Sequence, residues 1–343
     1  MRALCLTLFI TAFATPRLAA DAVSPEADFA AWRSALRGEA LAAGIAPATF
    51  DAAFEGVEPD PKVIALDRNQ PEFTLSLEDY LAKRVTPAMV DYGAQAYRDN
   101  ADLLQAVGAK YGINPRFIAG IWGMETSFGR FTGGYGVIRS LATLAFDDRR
   151  PDYFRRELIN ALKIIDEDHF APTDLKGSWA GAMGQSQFMP SSFLVYAQDF
   201  DGDGKRDIWG NRADVFASIA HYLASHGWRD DLTWGRPVLL PADFAMKREA
   251  LNPETPPAGC RRAMATHTKP LTLGEWQALG LRRLNGAGLP TRALAATLVQ
   301  PDGAQGRAYI AYDNFRAILA YNCSNYYAIA VGTLADKIAE AVR

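Results

Sequence analysis

Histidine is scarce in this 343-residue chain, with four copies, and cysteine scarcer still, with three. The shortage of histidine works against a serine nucleophile, which needs a base beside it. The pentapeptide "GQSQF" begins like a nucleophile elbow but lacks the second glycine, and no histidine stands near it. A basic excess is also missing: 36 Lys and Arg stand against 39 Asp and Glu, for a net charge of −3. That balance argues against nucleic acid as a partner and leaves neutral or polymeric substrates open. Beyond residue 20 no apolar run is long enough to cross a bilayer. Internal repeats are absent, and the one biased tract is "LNPETPPAG", read as a surface loop.

The N-terminus is informative by contrast. Met1 and Arg2 precede the apolar run "ALCLTLFITAFA", followed by "TPRLAADA", the charged, greasy and small-residue sections of a secretory signal. Cleavage is expected after Ala20, although Leu18 is an imperfect residue at the minus-three position. Cys5 lies inside the apolar run rather than at its end, so the lipid-attachment pattern of a lipoprotein is not met. Removing residues 1–20 takes away Arg2 and Arg17 and no acid, moving the net charge from −3 to −5. The mature chain is expected to be exported, soluble and monomeric. Cys260 and Cys323 then remain, an even number in an oxidising compartment. They either pair or stay as two small unpaired side chains, since spacing in sequence does not bring Cα atoms into bonding range.

The fold class expected is α+β and mainly helical. Residues 21–110 read as helices, through "ADFAAWRSALRGEALAAG" and "MVDYGAQAYRDNADLLQAVGAKYG". From 111 to 232 the helical signal continues between glycine-rich loops. Residues 233–313 change texture: "RPVLLPADF" and "KPLTLGEW" alternate, and "RALAATLVQPDGAQGRAYIAY" places two apolar runs around a Pro-Asp-Gly turn. This part is read as a small β-rich subdomain. Residues 314–343 close the chain, ending in the amphipathic "GTLADKIAEAVR".

One carboxylate stands out. In "GIWGMETSFGR", Glu125 sits among apolar and glycine residues. Asn114 followed by Pro115 predicts a helix start, and Phe117, Ile121 and Glu125 then fall on one stripe at spacings of four. Gly120 and Gly123 narrow the helix, so that another backbone or a ligand can approach closely, and Gly129 is expected to end it, which puts Glu125 near the negative end of the helix dipole. Burial and the dipole both disfavour its ionised form, and no Lys or Arg lies one turn before it. A raised pKa suits a general acid working near neutrality. The alternative is a buried glutamate satisfied by a structural partner.

"GIWGMETSFGR", then "AGAMGQSQFMPSSFLVYAQDFDGDGKRDIW", then "YNCSNYYAIAVG" occur in an order and separation that resemble the lytic murein transglycosylases of the B type. The similarity runs from about residue 27 to the C-terminus. It implies a lysozyme-like catalytic core with a helical N-terminal domain and a small β-rich subdomain, in the periplasm. It also implies cleavage of peptidoglycan glycan strands between N-acetylmuramic acid and N-acetylglucosamine, without a catalytic cofactor. Glu125 matches the single acid/base, which leaves a 1,6-anhydro ring because the attacking C6 hydroxyl belongs to the substrate; most glycosidases need a second carboxylate. Ser178 and Gln187 match groups lining the muramyl pocket. Tyr222, Tyr321, Asn322 and Tyr327 match cleft residues, and Tyr80 fits a cleft tyrosine of the helical domain. Each tyrosine has a plain alternative in core packing. Rival readings of the whole chain are a hydrolytic muramidase and a wall-binding protein without activity.

"DFDGDGKRD" sets Asp199, Asp201 and Asp203 at alternate positions with Gly204 sixth, the opening of an EF-hand calcium loop. Gly210 stands where a bidentate glutamate is expected at position twelve. Asp214 closes the loop if it is longer than standard, as the family region is, while Asp207 serves directly or through water and Lys205 gives its backbone carbonyl. A structural calcium is one reading; a solvated acidic turn is the other.

Overall fold

The computed structural model describes residues 25–69, 75–253, 259–304 and 306–343. The expected signal sequence and the middle of the "LNPETPPAG" loop lie outside the described residues. Proline explains much of the segmentation. The helices Pro47–Ala53, Pro61–Arg68, Pro87–Asp99, Pro115–Thr126, Pro151–Asp168 and Pro190–Tyr196 each begin on one, where the missing N–H costs no hydrogen bond. Polar caps precede several of them. Asp60 accepts from the Lys62 N–H, Thr86 from Met89 and Asn114 from Arg116.

The Pro115–Thr126 helix is the axis of the molecule, buried on nearly every side from Phe117 to Met124. The C-terminal helix Asn325–Ala341 lies along it. Glycine makes that approach possible: a Cβ on Gly120 would stand 3.0 Å from the Val331 carbonyl oxygen. On Gly123 it would stand 2.6 Å from the Phe128 ring. What the sequence suggested as room for a backbone or a ligand is therefore filled by a neighbouring helix and a ring. One contiguous apolar core runs from Phe29 to Ile338, so the helices before residue 110 share their core with those after it.

Five short strands form an antiparallel sheet in the order Leu271–Thr272, Ala295–Val299, Ala308–Ala311, Gly235–Leu239, Arg282–Arg283. Its centre is the hairpin around Pro301-Asp302-Gly303, with Thr297 opposite Ala311 and Val299 opposite Tyr309. A separate small core, including Val238, Leu273, Trp276, Leu298 and Ile310, sits beneath this sheet. The alternation in "KPLTLGEW" yields only a two-residue strand. Thr272 and Glu275 form a reciprocal capping box that turns the chain into the helix Leu273–Ala278 instead.

The β lobe is fastened to the helical body at many points, and Val299, Tyr309 and Ala311 on one face of the sheet add their side chains to the large core. Cys260 and Cys323 form a disulfide with Cα atoms 4.9 Å apart. At the hairpin tip, Asp302 accepts the Leu77 N–H at 2.9 Å and the Tyr326 hydroxyl.

Candidate active site

Glu125 lies in the last turn of the Pro115–Thr126 helix, which stops at Ser127 rather than at Gly129. Ser127 and Phe128 both take left-handed backbone angles, φ 50° and 63°, ahead of Gly129 at 81°. Two consecutive non-glycine residues in that region store strain beside the carboxylate. The strain is held by burial of the Phe128 ring and by the Thr126 hydroxyl, which accepts the Gly129 N–H.

Glu125 is partly exposed, and its carboxyl is crowded by protein. Burial raises its pKa from 4.5 to about 7. Two opposing influences are smaller: a hydrogen bond from Tyr327 and the charge of Arg84. The Tyr327 hydroxyl donates to Glu125 Oε1 at 2.5 Å. Burial and the nearby carboxylate hold the Tyr327 phenol well above its ordinary range, so it remains a donor at every working pH. With Oε1 engaged, Oε2 is the oxygen left to carry a mobile proton.

A cleft of about 410 Å³ opens next to Tyr327, lined also by Tyr80, Asn322, Ser324, Tyr326 and Arg262. Tyr80 and Tyr326 meet edge to face at 5.6 Å between ring centroids. The structure thus brings together Glu125, Tyr327, Tyr80 and Asn322. Tyr321 is close enough for the Glu125 charge to raise its pKa, and its hydroxyl donates to the Ser186 carbonyl at 2.6 Å. Tyr222 stands behind it. Its ring lies 4.7 Å from that of Tyr321 and stacks on His226 at 4.2 Å, and its hydroxyl is spent on the Ala320 carbonyl. Tyr222 is thus 8% exposed, a buried support of the wall rather than a surface that meets sugar.

Ser178 and Gln187 shape the glycine-rich loop. Ser178 Oγ accepts from the Ala182 N–H at 3.1 Å and keeps its own proton to donate. Gln187, at φ 51°, sends its amide to the carbonyls of Thr132 and Gly184. The sequence reading missed three contributors. Arg84 lies one helical turn after Tyr80, a spacing that marks a shared face. Asp302 and Tyr326 carry no local signal, because their partnership spans two lobes.

In the acidic loop, carboxylate oxygens of Asp199, Asp201 and Asp203 lie within 4.8 Å of one another. The Gly202 and Gly204 N–H groups hold Asp199, and Gly204 makes the turn at φ 89°. Asp207 and Asp214 stand outside that cluster. Asp207 accepts the Trp209 and Gly210 N–H groups. Asp214, fully buried, accepts those of Phe200 and Asp207, so it ties the two ends of the loop together. Lys205 donates its N–H to Asp203.

Comparison with known proteins follows the same outline. The family model described as "Transglycosylase SLT domain" matches residues 28–336. Membrane-bound lytic murein transglycosylase B of Escherichia coli K12 is 35% identical over 269 residues, covering 76% of this chain and 67% of that protein. The crystal structure of SltB3 from Pseudomonas aeruginosa, in complex with NAG-anhNAM-pentapeptide, superposes with a TM-score of 0.82 at 43% identity. It covers 92% of this chain and 80% of that one. Escherichia coli Slt35, solved in complex with calcium, gives a TM-score of 0.73 at 30% identity, covering 90% of this chain and 93% of that one. The chain belongs to the transglycosylase SLT domain family, as a lytic murein transglycosylase of the B type.

Proposed function

We propose that this enzyme cleaves the β-1,4 bond between N-acetylmuramic acid and N-acetylglucosamine in peptidoglycan, leaving 1,6-anhydro-muramyl ends, with Glu125 as the single acid/base. The observation that carries the reading is a crowded carboxyl whose pKa burial raises to about 7, with one oxygen pinned by Tyr327, a residue that itself lines the cleft. In the first half-reaction Glu125 gives its proton to the glycosidic oxygen as the bond to C1 breaks. In the second, the ionised carboxylate takes the proton of the muramyl C6 hydroxyl while that oxygen bonds to C1. The proton returns to Glu125 and no water is consumed. The structure of SltB3 with a NAG-anhNAM fragment supports this product class.

Tyr80, Asn322 and Tyr327 are assigned to the sugar-contacting wall, and Ser178 and Gln187 to the loop that faces the muramyl unit. Tyr321 positions that loop through Ser186, and Tyr222 backs Tyr321. Asp199, Asp201 and Asp203 would hold a structural calcium, since three hard oxygen donors already converge. Asp214 would brace the loop from beneath it. The metal's contribution is rigidity between neighbouring helices, with no part in bond cleavage. The place of action is the periplasm, and among the described residues no helix is long and apolar enough to cross a membrane.

Digestion of purified sacculi with product analysis by mass spectrometry tests the reading. Anhydro-muramyl ends, lighter than reducing ends by one water, are expected. Reducing ends would assign the chain to hydrolytic muramidases, and absence of release would leave a wall-binding protein.

A further inference from the structure

The segment leaving Glu125 carries an exposed aromatic pair that the mechanism above does not use. Phe131 is 66% exposed and Tyr92, on the Pro87–Asp99 helix, is 41% exposed. Single exposed rings are common on protein surfaces. These two are joined: the Arg130 guanidinium lies 4.7 Å from the Tyr92 ring centroid and 5.4 Å from that of Phe131. The Tyr92 ring also rests 5.7 Å from the buried Phe128 ring, which anchors the assembly to the strained turn after Glu125.

Its place relative to the site follows from the chain path. The Phe131 N–H donates to the Thr126 carbonyl, fixing the loop to the end of the catalytic helix. The next residue, Thr132, gives its carbonyl to Gln187. Gly133 then packs so closely on Gly177 that a Cβ there would stand 2.1 Å from the Gly177 carbonyl oxygen, next to Ser178. The platform therefore sits on the segment that links the end of the Glu125 helix to the loop of Ser178 and Gln187. The cleft lined by Tyr80 and Tyr326 does not include it. The Pro87–Asp99 helix is held against the helix that bears Tyr327, so both edges of the platform belong to elements of the site.

We infer that Phe131, Arg130 and Tyr92 form an additional saccharide subsite beside the active site, taking one sugar ring of the glycan strand away from the bond being cut. This rests on the proposed function. Flat aromatic faces suit the C–H face of a pyranose ring. Arg130 supplies in-plane donors for hydroxyl or acetamido oxygens while its own face is shielded by the rings.

The test uses the full chain on glycan strands stripped of stem peptides, with untreated strands in parallel. Because Phe131 is largely exposed, Phe131→Ala is expected to leave the melting temperature unchanged. Its KM on stripped strands should rise roughly three- to tenfold, the size of one aromatic stacking contact, with kcat within about twofold. Phe131→Trp should restore the parental KM. An unchanged KM in Phe131→Ala overturns the subsite, as does a Phe131→Trp variant no better than alanine. A loss seen only on stem-bearing strands makes the platform a peptide contact and likewise overturns it. If the parent releases no anhydro ends from either substrate, the proposed function itself has failed, a result distinct from all of these.

Discussion

At the scale of single residues, Glu125 is the group whose ionisation the fold opposes. Its carboxyl is neutral in both folded and unfolded chains below pH 4.5 and carries no penalty there. As pH rises from 4.5 to about 7 the unfolded chain ionises while the folded one resists, so stability is lost across that window and the loss levels off above it. Glu125→Gln cannot ionise. It should be inactive, equal to the parent in stability near pH 4, and more stable above pH 8 by on the order of 3 kcal/mol, since each tenfold change in an ionisation constant is worth about 1.4 kcal/mol. Urea unfolding at the two pH values measures this, and equal stability at pH 8 would contradict it. The same protonated form is the one that starts the reaction, so kcat/KM should fall as pH rises past about 7. Tyr327→Phe removes the bond that favours the ionised form. It should move that alkaline limb to higher pH and lower kcat roughly tenfold, the worth of one hydrogen bond to a charged group. A pH–rate profile with an unmoved limb would show that Tyr327 does not tune the acid. Glu125 was legible from its four-residue spacing with Phe117 and Ile121. Its Tyr327 partner, 202 positions away, was not legible from spacing, and the family motif alone marked it.

Among the elements, the acidic loop separates a metal brace from a self-satisfied turn. Asp199 and Asp203 already accept backbone N–H groups, and Asn211 donates to Asp201, so the loop holds its shape through local bonds. Three carboxylates with oxygens within 4.8 Å of one another nonetheless repel, and a divalent cation relieves that repulsion. Calcium should raise the melting temperature of chelator-treated protein by several degrees, an effect on the order of 2 kcal/mol at saturation. Asp201→Ala should abolish the response. Differential scanning calorimetry reads both, and no calcium response in the parent would leave the loop as a solvated turn. The alternating positions of Asp199, Asp201 and Asp203 were visible in the sequence because a loop of this kind is a local arrangement. The role of Asp214 was less so: it is buried, and both its oxygens are engaged by the Phe200 and Asp207 N–H groups. Elsewhere, the Pro-Asp-Gly hairpin was legible from its turn residues, whereas the apolar alternation of "KPLTLGEW" misled. Its capping box outweighed a pattern only a few residues long.

For the whole molecule, the division is between one large core and one small one. The small core is a local cluster under one face of the sheet, while Val299, Tyr309 and Ala311 on the other face belong to the large core. Fewer buried contacts favour local opening. Hydrogen exchange followed by mass spectrometry should find the Leu273–Ala278 helix, whose Leu273 and Trp276 lie in the small core alone, exchanging well before the Pro115–Thr126 helix, and the reverse order would contradict a separately opening small core. The sequence by itself determined where helices start, because proline and capping residues act on their immediate neighbours. It also determined the hairpin around Pro301-Asp302-Gly303, and that Glu125 is a carboxylate on an apolar stripe. Only the tertiary structure decided that Gly120 and Gly123 admit the C-terminal helix rather than a ligand. It alone set Tyr327 against Glu125, and drew Phe131 and Tyr92 around Arg130. Those outcomes depend on packing between segments far apart in the chain, and side-chain periodicity carries no record of which distant surface will fill a given gap.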